Sequence, residues 1–325
     1  DNLIAGPGDK IIIPRNAHRS IIGGVILSGA IPVFIQPEVD QELGIAMGVT
    51  PQTVESALKS HPDAKGVLII NPTYYGVATD LKRIVDLVHS YDMPVVVDEA
   101  HGPHLKFSQE LPLQALDAGA DICAQSTHKI IGAMTQCSMV HCRRGRIDIP
   151  RLKAMLQLVQ STSPNYVLLA SLDVARMQMA TQGPALIARA IELSEWTRRQ
   201  INGISGLYCF GAEKLSGPGV YGLDPTKLTV TVKGLGLTGT EAERILRDEY
   251  RIQAFNHSGG WGTGGADFSG CSQGYGQKPF GQPGLFPDLR PVLHCPLSRA
   301  AGAGDVAPAG PVQQFPPGAL HRRGR

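Results

Sequence analysis

Two short stretches hold most of the side chains that could do chemistry. The first, Asp98-Glu99-Ala100-His101-Gly102-Pro103-His104, follows the apolar run Pro94-Val95-Val96-Val97. The second, Ser126-Thr127-His128-Lys129, follows Ile122-Cys123-Ala124. An acidic residue at the carboxyl end of a buried strand stands where ligands dock in an open parallel sheet. Asp98-Glu99-Ala100-His101 spells the acidic box of a helicase-type nucleotide site. That chemistry needs a G-x-x-x-x-G-K-[ST] phosphate loop, and no such loop occurs in the chain. His101-x-x-His104 has the spacing of metal ligands, but no convincing further ligands complete the set. The plain alternative is a capped strand end.

The two stretches say more together than apart. A lone lysine is ordinarily a solvated surface charge. A carboxylate and a lysine at neighbouring strand ends, beside hydroxyls and imidazole, match what pyridoxal phosphate requires. The lysine forms a Schiff base, the carboxylate pairs with the pyridinium nitrogen, and small hydroxyls hold the phosphate.

The elements that must position these groups are legible as apolar runs. Lys10-Ile11-Ile12-Ile13-Pro14, Ile31-Pro32-Val33-Phe34-Ile35, Gly66-Val67-Leu68-Ile69-Ile70 and Pro94-Val95-Val96-Val97 read as strands buried on both faces. Ile122-Cys123-Ala124 and Ser138-Met139-Val140-His141 extend the set. Between them, Thr50 to Ser60 reads as a helix with a Thr50 cap and Pro51 at its first position. Thr79 to Ser90 carries Leu81, Ile84, Val85 and Val88 at helical spacing. The alternation predicts an α/β fold, three layers around a mainly parallel sheet. Ile147 to Gln200 reads as mostly helical, with a break around Ser161-Thr162-Ser163-Pro164. Beyond Gly206 the pattern becomes that of a smaller α+β domain. There Lys227 to Lys233 alternates as a half-exposed antiparallel strand, Thr238 to Tyr250 is a helix with a Thr240 cap, and Arg251-Ile252-Gln253-Ala254 begins a strand.

The 325 residues are 42% hydrophobic and 18% charged, enough for a large core and about two domains. A net charge of +2, from 30 basic and 28 acidic residues, argues against nucleic acid as the main partner. No apolar run approaches the ~18–20 residues of a membrane span. The six cysteines form no C-x-x-C pair, and Cys123, Cys137 and Cys209 lie in or beside apolar runs as buried thiols would. The start, Asp1-Asn2-Leu3-Ile4, lacks the pattern of a signal peptide, so the expectation is a cytoplasmic protein, incomplete at its N-terminus. Residues 256–325 hold 15 of the 38 glycines and 9 of the 24 prolines, a composition that predicts disorder.

At this point the sequence resembles a known family. Ser126-Thr127-His128-Lys129, followed by Gln136-x-Ser138-Met139-Val140-His141, is similar to the cofactor-lysine signature of the ornithine/lysine/arginine decarboxylases. These are pyridoxal-phosphate enzymes of the aspartate-aminotransferase fold group. Pro14-Arg15-Asn16-x-His18-x-Ser20, Ser28-Gly29-Ala30-x-Pro32 and Asn71-Pro72-Thr73-Tyr74-Tyr75-Gly76 resemble further family segments. So do Ser163-Pro164-x-Tyr166, Leu169-Ala170-Ser171-Leu172-Asp173, Asp224-Pro225-Thr226-Lys227-Leu228 and Leu235-Gly236-Leu237-Thr238-Gly239. The resemblance spans roughly residues 1 to 254, with the segments in the family's order.

The resemblance implies residue roles. Lys129 is the Schiff-base lysine, Asp98 keeps the pyridinium nitrogen protonated, and His18 stacks on the ring. Ser126 and His128 contact the phosphate or orient the cofactor, while Ala100 and His101 lie beside the ring. It implies decarboxylation of arginine or lysine, ahead of ornithine, to the amine and CO2, feeding polyamine synthesis. A homodimer is also implied. The expected domains are an incomplete cofactor-binding major domain over 1–195, the start of a small domain over 196–254, and a non-family tail over 255–325. Two departures bear on this. The family's Gly/Ser/Thr-rich phosphate loop would precede Asp1, so weak cofactor affinity is expected of this chain alone. After Ala254 the family pattern stops, as a changed reading frame or a foreign tail would produce. The alternatives are another enzyme of the same fold, such as an aminotransferase or lyase, and a non-catalytic remnant.

Overall fold

The computed structural model describes residues 3–252 and 254, together with the backbone of Phe255–Asn256 and Gly265–Asp267. The expectations for the remainder of 255–325, including His257, His294, His321, Cys271 and Cys295, lie outside the described residues.

The first half holds the predicted strands and helices, together with a helix over 19–28 and two-residue strands at 39–40, 45–46 and 77–78 that the sequence pattern did not predict. It runs β1 (Lys10–Pro14), α1 (Arg19–Ser28), β2 (Ile31–Ile35), β3 (Val39–Asp40), β4 (Ile45–Ala46) and α2 (Pro51–Ser60). It continues through β5 (Val67–Ile70), β6 (Val77–Ala78), α3 (Leu81–Ser90) and β7 (Val95–Asp98). Then come β8 (Ile122–Gln125), the single turn α4 (Thr127–Ile130) and β9 (Met139–Cys142). Six of these strands form one sheet in the order β2-β1-β5-β7-β8-β9. All neighbours are parallel except β8 and β9. The fold is mixed α/β around a mainly parallel sheet.

The core forms where helix faces meet one face of this sheet. In α2 the Thr50 side chain caps the first turn by accepting from the Thr53 amide, Pro51 enters at the first position, and Val54, Ala57 and Leu58 are buried. In α3 Asp80 supplies the cap, and Leu81, Ile84, Val85 and Val88 are buried. These side chains pack on Ile12, Val67, Ile69, Val95, Val97 and Cys123. Each fully buried aliphatic side chain contributes roughly 1.5–3 kcal/mol. The cluster therefore fixes the strands whose ends carry the chemistry.

The second half holds α5 (Ile149–Val159) and the long α6 (Tyr166–Asn202), separated where the sequence predicts a break. Then follow β10 (Tyr208–Cys209), β11 (Gly222–Leu223), β12 (Thr229–Thr231), α7 (Gly239–Tyr250), β13 (Phe255–Asn256) and β14 (Gly265–Asp267). A four-stranded sheet runs β10-β12-β14-β13, and β11 pairs antiparallel with β6. Three local expectations are corrected. Thr238, not Thr240, caps α7, because Glu241 three residues on completes a capping box with it. Arg251 is left-handed with φ 59° as that helix's C-cap, so the next strand begins only at Phe255. The strand predicted over 227–233 narrows to Thr229–Thr231, and Leu228, Thr229, Val230 and Val232 are all buried rather than alternating. No described helix is long and apolar enough to cross a membrane.

Candidate active site

Parallel pairing brings the chemistry to one edge of the sheet. Ile70 is level with Asp98, and Asp98 with Ala124, so the carboxyl ends of β5, β7 and β8 lie side by side. Residues that follow those ends therefore share one rim: Asn71 to Tyr75 after β5, Ala100 to His104 after β7, and Ser126 to Lys129 after β8.

Lys129 sits in the first turn after β8, its amide bonded back to the Ser126 carbonyl at 3.0 Å. Its ammonium nitrogen lies 3.5 Å from His101 Nε2. Burial pulls the Lys129 pKa below the ordinary lysine value. The Asp98 carboxylate opposes that shift, and the Lys227 ammonium adds to it. The His101 ring meets Tyr74 edge-on with centroids 5.1 Å apart. Asp98 is half-buried and oriented by its own loop, since Oδ1 accepts from the Ala100 amide at 3.1 Å.

Of the residues expected from sequence, the structure thus gathers Lys129, Asp98, Ala100 and His101. His18 stands at the end of β1 as the N-cap of α1, exposed, with Nδ1 accepting from the Ser20 amide at 3.2 Å. His128 directs Nδ1 away, donating to the Cys137 carbonyl at 2.7 Å. Ser126 precedes α4 without a side-chain capping bond.

The rim also contains groups that sequence reasoning left without a role. His104 and Asp224 form a buried pair at 2.9 Å, 1% and 0% exposed, which joins the β7 loop to the turn before β12. Glu99 is fully buried and accepts from the Ala115 amide and from Gln125 Nε2, each at 2.6 Å. Burial raises its pKa to about 7. Tyr74 and Lys227 lie within the quoted family segments, but only the fold brings them together.

These residues fit pyridoxal phosphate. Ala124 lies on a strand inside the sheet yet is exposed, so the surface beside Asp98 is uncovered where a flat ring would rest. The Thr127 hydroxyl is buried without a hydrogen-bond partner among the described residues. A carboxylate and a lysine whose proton is loosened by burial complete the donor set.

Comparison with known proteins agrees with this fold. The family model described as "Orn/Lys/Arg decarboxylase, major domain" matches residues 2–248. The arginine decarboxylase of Bacillus subtilis (strain 168) is 52% identical over 250 residues, which cover 77% of this chain and 51% of that protein. The chain therefore spans about half the length of this curated relative. Among solved structures, the lysine decarboxylase of Francisella novicida matches with a TM-score of 0.66 at 22% identity, covering 82% of this chain and 43% of that one. A PLP-bound putative aminotransferase from Clostridium difficile 630 matches at 0.56 and 16% identity, covering 82% and 68%. At such identities the two structural matches speak for the fold alone.

Proposed function

The chain belongs to the Orn/Lys/Arg decarboxylase family, and on that premise we propose that it carries the pyridoxal-phosphate site of a basic amino-acid decarboxylase. The observation that carries this reading is Lys129, its proton loosened by burial and set beside His101 at the strand end next to Asp98. Arginine is the substrate favoured by the 52%-identical relative's name, with lysine next and ornithine behind.

Each residue has a physical task. Lys129 is the amine that anchors the cofactor. Asp98, held by the Ala100 amide, keeps a proton at the ring nitrogen. His18 stacks on the ring, Ser126 and His128 contact the phosphate or orient the cofactor, and the small Ala100 leaves room beside the ring. When bound, the cofactor supplies an electron sink for the pair left on carbon as CO2 departs. The Lys129 and His101 nitrogens, 3.5 Å apart, form the pair able to return a proton to that carbon.

The chain acts as a homodimer in this reading, within cytoplasmic polyamine synthesis. Leu158, Val159, Tyr166, Val167, Leu169 and Val174 are exposed at the end of α5 and the start of α6. That number of exposed apolar side chains on successive helices supports a surface covered by a partner. The 1–195 and 196–254 division remains part of the proposal. Incubation with pyridoxal phosphate and arginine, lysine or ornithine tests the reading. Release of CO2 and the amine supports it, and a keto-acid product replaces it with transamination.

A further inference from the structure

Behind the strand ends that carry the candidate site, the sheet opens into a chamber. In the β8–β9 ladder Cys123 stands opposite His141 and Gln125 opposite Met139, so these four side chains share one face. Ala124, between Cys123 and Gln125, belongs to the other face, level with Asp98. Across the gap α6 presents Arg176, Met179 and Ala180, whose spacing puts them on one stripe of the helix. The segment after β7 adds Lys106 and Phe107. Together these walls enclose a half-open volume of about 270 Å³.

The interior and the mouth differ in chemistry. At the floor the polar groups are used on one another: His141 Nε2 donates to Gln125 Oε1 at 3.1 Å, and Gln125 Nε2 donates to Glu99 at 2.6 Å. Burial pulls the His141 pKa below its ordinary value, so the floor holds no imidazolium near neutral pH. Phe107, Leu116, Ile131, Met139 and Met179 make the remaining lining apolar. The two cations, Lys106 and Arg176, are each more than half exposed and so stand where the chamber meets solvent. Lys106 pairs with Asp117, and Arg176 Nε donates to Asp173 Oδ1 at 2.8 Å. That bond uses one edge of the guanidinium. Its two terminal amino groups have no hydrogen-bond partner among the described residues.

An apolar chamber behind an open guanidinium suits a molecule that is apolar at one end and anionic at the other. The apolar body leaves water for the walls, and a carboxylate at the mouth gains a charge-assisted hydrogen bond. An apolar cavity of about 150 Å³ takes up benzene, so this one has room for two fused rings. A basic amino acid would meet like charge at both Lys106 and Arg176.

We propose that this chamber is a second ligand site, which takes a small aromatic monocarboxylate with its rings among Phe107, Met139 and Met179 and its carboxylate on Arg176. Strand β8 lies between it and the candidate active site, and the inference does not rest on the role of Lys129.

The test is titration of 2-naphthoate, and of its uncharged counterpart 2-naphthamide, into protein labelled with carbon-13 at the methionine methyl groups. Ring currents should shift the Met139 and Met179 signals and leave Met47 and Met93, which belong to other core clusters, in place. The amide should bind about tenfold more weakly than the acid, the loss of one charge-assisted hydrogen bond. Arg176→Gln should weaken the acid by the same factor and leave the amide unchanged. Ala180→Trp, at an exposed position on the same wall, should close the chamber and abolish both sets of shifts. Saturating pyridoxal phosphate should leave the affinity for naphthoate as it was. Unmoved Met139 and Met179 signals at millimolar naphthoate would overturn the proposal, and so would equal affinity for acid and amide. Displacement of naphthoate by pyridoxal phosphate would overturn it too, by placing the aromatic acid in the candidate active site.

Discussion

Glu99 Oε2 accepts a 2.6 Å hydrogen bond from Gln125 Nε2, and both side chains are buried. Glu99 follows Asp98 directly, and Gln125 precedes Ser126. The bond therefore ties together the two strand ends that carry the chemistry.

Burial raises the Glu99 pKa from 4.5 to about 7, so the folded state binds this proton more tightly than the unfolded chain. Stability from this group is fully present below about 4.5, declines as the pH rises, and is lost above about 7, a swing of about 3 kcal/mol. Denaturant unfolding at a series of pH values should show that decline, and Glu99→Gln should flatten it. An undiminished slope in the variant would reassign the effect to another group.

His104→Ala leaves the buried Asp224 carboxylate with only the Thr226 hydroxyl and amide as donors among the described residues. Breaking a buried pair in this way costs about 3–5 kcal/mol. Urea midpoints should fall accordingly, and a loss under about 1 kcal/mol would show that water or another donor replaces the imidazole.

Gly183 lies in α6 against Phe107, and a Cβ there would come 2.6 Å from Phe107 Cδ1. Gly183→Ala should therefore destabilise by about 1–3 kcal/mol despite the better helix former. Phe107→Leu in the same chain should recover part of the loss. Thermal melting of the single and double variants decides this.

Asp98→Asn keeps the shape of the side chain but removes its charge. In the proposed reaction the decarboxylation rate should drop by about 10²–10³, as for loss of one preorganised electrostatic group. Cofactor should still be captured by Lys129, which is read separately from its absorbance.

Much of this architecture is legible in the sequence. The β-branched runs at 10–14, 67–70 and 95–97 could be little else than buried strands, and the Thr50-Pro51 start marks α2 unambiguously. Asp98 and Lys129 are legible as strand-end groups for the same reason. What is not legible is contact between distant segments. His104 and Asp224 are 120 residues apart, and neither carries a local signal of the other. The Glu99–Gln125 bond needs the register of β7 on β8, and periodicity does not supply register. Lys227 reads as one charge in an alternating strand until the turn before β12 folds against Gly76. The α1 helix was masked by its own sequence, where Gly23, Gly24 and several β-branched residues weaken helical preference. Its helicity is set by the His18 cap and the left-handed Gly29 that ends it.

The central claim is that Lys129 is the amine that anchors pyridoxal phosphate, and its most direct test is the visible absorbance of the chain titrated with the cofactor. The parent should develop the band of a lysine-bound cofactor, reducible by borohydride to a label on Lys129. Lys129→Ala should develop none. An unchanged band in that variant, or a reduced label on another residue of the parent, would contradict the account.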